Sequence, residues 1–225
     1  MGKHFSYLYL TDHYLGEALI VRYPGALDYN YYFKKLKKDI QDYCHNFSQI
    51  KKIVIGEDAI LLDFLAFLID EVFIKEKIKA DFNVFLDPLI NPLEIYDFNK
   101  AEAIYHEKKD FVKFIDFYLT NPIFEDTTIL EPREQVEKRV KKFTSNLNQY
   151  FTDLLEKSEN KVLVIFPEEL LVIFLKIFKV LPLLNIKSNV YSLIIYDSRD
   201  NGNKIYDLEI KETRRKILPL REIIN

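Results

Sequence analysis

Asp12, His13 and Tyr14 follow a short β-rich run, Ser6 to Thr11 (SYLYLT), and place a histidine where a strand is expected to close. A histidine so placed can serve as a nucleophile or proton carrier when neighbours supply the matching charge. An isolated loop histidine is more often a surface or hydrogen-bonded group. His4, His45 and His106 have no partner at metal-ligand spacing, and the adjacent Cys44 and His45 would diverge on a helix, so a zinc site is not expected. A second set is acidic: Asp12, Glu57, Asp58, Asp87, Glu168 and Glu169 each stand just past an expected strand end. Carboxylates gathered on such an edge can hold Mg²⁺, which gives Asp12, Asp58, Asp87 and Glu168 as an alternative metal set. The competing explanation is capping, because acids at helix amino termini satisfy free N–H groups and the helix dipole. The expectation is no metal and no cofactor.

The elements that must position these residues follow from periodicity. Lys161 to Val180 (KVLVIFPEELLVIFLKIFKV) reads as a buried strand running into a helix, with Phe166, Pro167 and Glu168 in the turn between them. In open α/β sheets ligands are held at such strand ends, yet this turn offers no histidine, glycine, serine or lysine. The chain has only five glycines, and neither GxGxxG nor GxxxxGK[ST] occurs, which removes the two commonest phosphate-cradling loops.

Ala18 to Tyr23 (ALIVRY) is a second expected strand, with Ser6 to Thr11 the more central of the two. Tyr32 to Phe47 has helical spacing. Lys52 to Gly56 is a strand, followed by a helix capped by Asp58 and running to Phe73, then a strand over Phe82 to Leu86. One helix is predicted between Phe98 and Leu119, and another, starting at Pro132, carries Val136, Val140, Phe143, Leu147, Tyr150 and Leu154. Asn189 to Tyr196 and Lys204 to Ile210 read as an antiparallel hairpin turning at Asn201-Gly202. The fold expected is a three-layer α/β/α domain over residues 1–225. It has a mostly parallel sheet, helices on both faces, an antiparallel terminal hairpin and a mainly helical insertion at about 88–130.

The 225 residues are 48% apolar and 30% charged, with 18 Phe, 15 Tyr and no Trp, as suits a folded chain with a sizeable core. A net charge of −3 gives no overall pull toward nucleic acid. Lys161 to Leu184 is too interrupted by charge and proline to span a bilayer. One cysteine and no basic-then-apolar amino terminus point to a cytoplasmic protein. The apolar helices over Ala59 to Phe73 and Leu170 to Leu181 must be covered on more than one side, by this domain or by another subunit. Arg214, Arg215, Lys216 and Arg221 form a basic run that could dock an acidic partner or simply face solvent.

Three segments resemble the histidine phosphatase superfamily, the phosphoglycerate mutase-like proteins. EPREQVEKRVKKF (Glu131 to Phe143) is similar to the family's Glu-Ser-x-x-x-x-x-x-Arg helix, KVLVIFPEELLVIFLKIF to its strand, Ser-His-Gly turn and helix, and NVYSLIIYDSRDNGNKIYDLEI to its closing strands. The resemblance implies an Arg-His-Gly near the amino terminus, best placed on Asp12, His13 and Tyr14, with only the histidine retained. The family's second arginine falls near Leu61 and its second histidine on Pro167, flanked by Phe166 and Glu168. A phosphoryl group needs opposed positive charge, each charge-assisted bond contributing about 1.5–3 kcal/mol. The resemblance therefore implies a degenerate pocket and a non-catalytic subunit, a homodimer or a heterodimer with an active paralogue. Residual phosphatase or mutase chemistry through His13, or a metal enzyme using the acidic set, are the alternatives.

Overall fold

The computed structural model describes residues 13–23, 34–36, 38–39, 47–75, 77–79, 81–125, 128–150, 161–177, 190–200, 203–212 and 216–221, with side chains described within these ranges from Leu19 to Ile177 apart from Asn148. Its centre is a seven-stranded sheet built from β1 (His13–Tyr23), β2 (Ile50–Ile55), β3 (Asn83–Leu86), β4 (Lys161–Pro167), β5 (Val190–Asp200), β6 (Asn203–Glu212) and β7 (Lys216–Arg221). The strands lie in the order β3-β2-β4-β1-β5-β6-β7. The first four in that order are mutually parallel, and β5, β6 and β7 are added antiparallel beyond β1.

Side chains alternate across the parallel strands and feed two separate cores. Ile20, Val54, Val162, Val164 and Phe166 point to one face, under α2 (Phe98–Lys108), α3 (Phe111–Thr120), α4 (Arg133–Asn146) and α5 (Glu168–Ile177). Leu19, Val21, Tyr23, Ile53, Ile55, Leu163 and Ile165 point to the other, under α1 (Ala59–Leu68) and with Leu36 and Phe47. The two-faced burial explains why these strands read as continuous apolar runs. Leu170 to Leu175 are all buried in the first core, so most of the apolar surface of α5 is covered within the chain. On α1, Ile60 and Leu62 remain exposed.

Three sequence expectations change. β1 contains Ala18 to Tyr23 and occupies the middle of the sheet, where the SYLYLT run was expected; Ser6 to Thr11 lies outside the described residues. The single helix over Phe98 to Leu119 is two, because Lys109 adopts a left-handed conformation at φ 55 and Asp110 then caps α3 by accepting from the Lys113 amide. The basic run is divided, with Lys216 and Arg221 in the unanticipated strand β7 and 214–215 outside the described residues. Asp58 caps α1 as expected, accepting from the Ile60 amide at 2.8 Å. That helix continues as a wider π turn over Ile69–Ile74.

Candidate functional site

The parallel strands present their carboxyl ends on one edge, and the chain leaves that edge in two directions. It passes from β2 into α1 on one face and from β4 into α5 on the other. Such a divergence opens the crevice where α/β proteins hold ligands. Register fixes what stands there. Arg22 pairs with Phe166 and Tyr23 with Pro167, so the end of β1 lies beside the turn that opens α5.

Across this point Arg22 donates from Nη1 to Glu168 Oε1 at 2.8 Å, with 11% and 19% of the two side chains exposed. Burial raises the Glu168 pKa, and the Arg22 charge and hydrogen bond oppose that rise. Positive charge at the strand ends is thus met by the protein's own carboxylate. Tyr23, one residue on, turns its ring into the opposite core, edge-on to Phe64 with centroids 5.1 Å apart.

Phe166 and Pro167 are both buried, and Phe166 packs on Phe143 and Phe174 at 5.4 and 5.9 Å. Leu61 is wholly buried in the second core, under Gly56. A Cβ at Gly56 would lie 2.6 Å from Asn91 Oδ1, so only glycine lets the β2 turn pass beneath the 89–93 loop. Asn91 Oδ1 also accepts from the Glu57 amide at 2.7 Å.

His13 is not at this edge. It opens β1 four positions before Glu17, the partner of Lys161, which puts its backbone roughly 33 Å from Tyr23 along the strand. The expectation that His13 closes a strand is corrected, because His13 opens β1; the run before it lies outside the described residues. Tyr14 lies beside it in β1, paired with Tyr196, and Asp12 lies outside the described residues.

The acidic set is dispersed into local tasks. Asp58 caps α1. Asp87 accepts from the Leu89 amide at 2.9 Å and from the Tyr150 hydroxyl at 2.7 Å, and this burial and hydrogen bonding raise the Tyr150 pKa. Glu169 accepts from the Leu93 amide at 3.3 Å; burial raises its pKa against that bond and the bond from its own amide. Among the described residues no three of His, Cys, Asp and Glu gather as a metal site.

A further arginine–glutamate pair, absent from the expected site residues, joins Arg139 of α4 to Glu131 just before that helix. Arg139 meets Glu131 through Nε to Oε1 at 2.8 Å and Nη2 to Oε2 at 2.7 Å. Its remaining donors reach the carbonyls of Leu89, Asn91 and Pro92 at 3.0, 2.7 and 3.2 Å. A guanidinium has five N–H donors, so Arg139 is saturated and clamps the loop over the strand ends. Arg22 was also missed, although a lone arginine near the end of the apolar run ALIVRY was a readable signal.

No protein-family profile and no curated protein matches this sequence. A solved structure titled mycobacterial hydrolase 2 is similar over 88% of this chain and 90% of its own, at 14% identity and a TM-score of 0.52. The shared property is the fold. A crystal structure of phosphoglycerate mutase from Plasmodium falciparum aligns over 87% of this chain and 99% of its own, at 13% identity and a TM-score of 0.43. Among the described residues no helix is long and apolar enough to cross a membrane.

Proposed function

We propose that this chain is a catalytically degenerate histidine phosphatase-like protein, a single domain over residues 1–225 that acts as a structural or regulatory subunit in the cytoplasm. The observation that carries the reading is the Arg22–Glu168 pair at the strand-end crevice. We read the match to the family's Arg-His-Gly at Arg22 and Tyr23 in place of Asp12, His13 and Tyr14, a reading supported by the register that sets Arg22 beside Phe166 and Tyr23 beside Pro167. On this reading the arginine survives, its charge is met by Glu168, and a tyrosine packed against Phe64 stands where the phosphoryl-accepting histidine would be. Pro167 and the buried Leu61 leave the other two family positions without an anion donor. The reading needs no cofactor.

An open sheet edge supports the subunit role. β3 is an edge strand whose Val84, Phe85 and Leu86 are exposed, with no lysine or proline among them to blunt the edge. The proposed partner is a second copy or an active paralogue. The test is hydrolysis of p-nitrophenyl phosphate and small phosphomonoesters by the purified chain. No turnover above a buffer control is expected. Turnover abolished by His13→Ala would instead establish residual chemistry at that histidine and overturn the reading.

A further inference from the structure

A cleft away from the strand ends lies where α1 gives way to β3. It has a volume of about 470 Å³, and its walls are Ile69, Phe73, Ile74, Ile78 and Phe82. That volume falls within the range of about 300–1,000 Å³ typical of small-molecule sites. Phe73 is buried and forms the base, its ring 5.3 Å from Phe82 and 6.0 Å from Phe47. Among the described residues the polar side chains of the lining are Lys77 and Lys79.

Two features of the local chain set this cleft apart from an ordinary surface dent. The helix widens to a π turn over Ile69–Ile74, a departure often found where a helix wall serves a site. It then stops on Lys77, which holds a left-handed backbone at φ 56 where glycine is strongly favoured. The stop is closed by hydrogen bonds from the Ile78 amide to the Phe73 carbonyl at 2.8 Å and from the Lys77 amide to the Ile74 carbonyl at 3.0 Å. A lysine is thus kept at a position whose backbone prefers no side chain.

Charge completes the description. Lys75 is tied to Glu71, whereas Lys77 and Lys79 make no ion pair with the described residues. Asp81, beside Phe82 in sequence, does not line the cleft. Among the described residues no hydroxyl, amide or imidazole side chain lines it either, so a sugar or nucleotide would leave its polar groups unmatched against apolar walls. The complementary molecule has an apolar body and a single anionic head. We propose that this cleft binds a medium-chain fatty acid, with the acyl chain along Phe73 and Phe82 and the carboxylate between Lys77 and Lys79.

The test is calorimetric titration of the full chain with decanoate below its micellar concentration, beside decan-1-ol and decylammonium. Decanoate is expected to bind at least about tenfold more tightly than the alcohol, the ratio that one charge-assisted contact supplies. Decylammonium is expected not to bind. Lys77→Gly combined with Lys79→Ala should weaken decanoate about tenfold or more without lowering the melting temperature, because glycine suits the left-handed position. Ile74→Glu, at a site 62% exposed, should abolish binding by setting a carboxylate at the rim. No decanoate binding, equal binding of acid and alcohol, or unchanged affinity in these variants would overturn the proposal. So would binding to phosphatidylglycerol vesicles without binding to free decanoate.

Discussion

Two of the arginine–glutamate pairs among the described residues are built differently. Arg139 and Glu131 meet in a bidentate fork, and the other Arg139 donors are taken by the carbonyls of Leu89, Asn91 and Pro92. Arg22 meets Glu168 through Nη1 at 2.8 Å, across the ends of two neighbouring strands. The first pair fastens a loop to a helix and has no donor left for a ligand. The second lies in the crevice itself, where its arginine could have served an anion and is instead matched from within. A saturated loop clamp thus stands beside a strand-end arginine that is met by one carboxylate.

The largest expected effect breaks the first pair. Arg139→Ala leaves Glu131 buried without its counter-charge and frees three loop carbonyls, and should cost about 3–5 kcal/mol in chemical denaturation. A loss below about 1 kcal/mol would mean that the loop is held by other contacts. The second pair is weaker by this account. A double-mutant cycle of Arg22→Met and Glu168→Gln should return a coupling of about 1.5–3 kcal/mol. A coupling equal to that of Arg139 with Glu131 would erase the distinction between clamp and site.

Much of this framework was legible in the sequence. Val136, Val140 and Phe143 fall on one buried face of α4, and Asp58 caps α1, because apolar periodicity and capping chemistry are local. The site was less legible. ALIVRY lies in the central strand β1, which opens at His13, because strand pairing sets its place in the sheet and local propensity does not. Arg22 was passed over because its neighbours mark a buried strand, and the ion pair that makes its burial tolerable comes from 146 residues away. The break between α2 and α3 was hidden because a lysine stands at the left-handed position where glycine would have announced it.

The smallest effect concerns Glu169, next to Glu168. Burial raises its folded pKa, so the folded state holds a proton more tightly than the unfolded chain does. Its contribution to stability is therefore greatest below the ordinary carboxylate value of about 4.3 and declines as pH rises through the raised folded value. Glu169→Gln should flatten that decline in melting temperature measured from pH 4 upward. A steeper decline in the variant would reverse the sign assigned to this group.

The central claim is that Glu168 closes the crevice against anions. Calorimetric titration of the intact chain with inorganic phosphate tests it most directly, with Glu168→Gln alongside. The account predicts no binding to the native chain at millimolar phosphate and measurable binding once the opposing carboxylate is neutralised. Phosphate binding to the native chain that is lost in Arg22→Met, with no gain in Glu168→Gln, would contradict it.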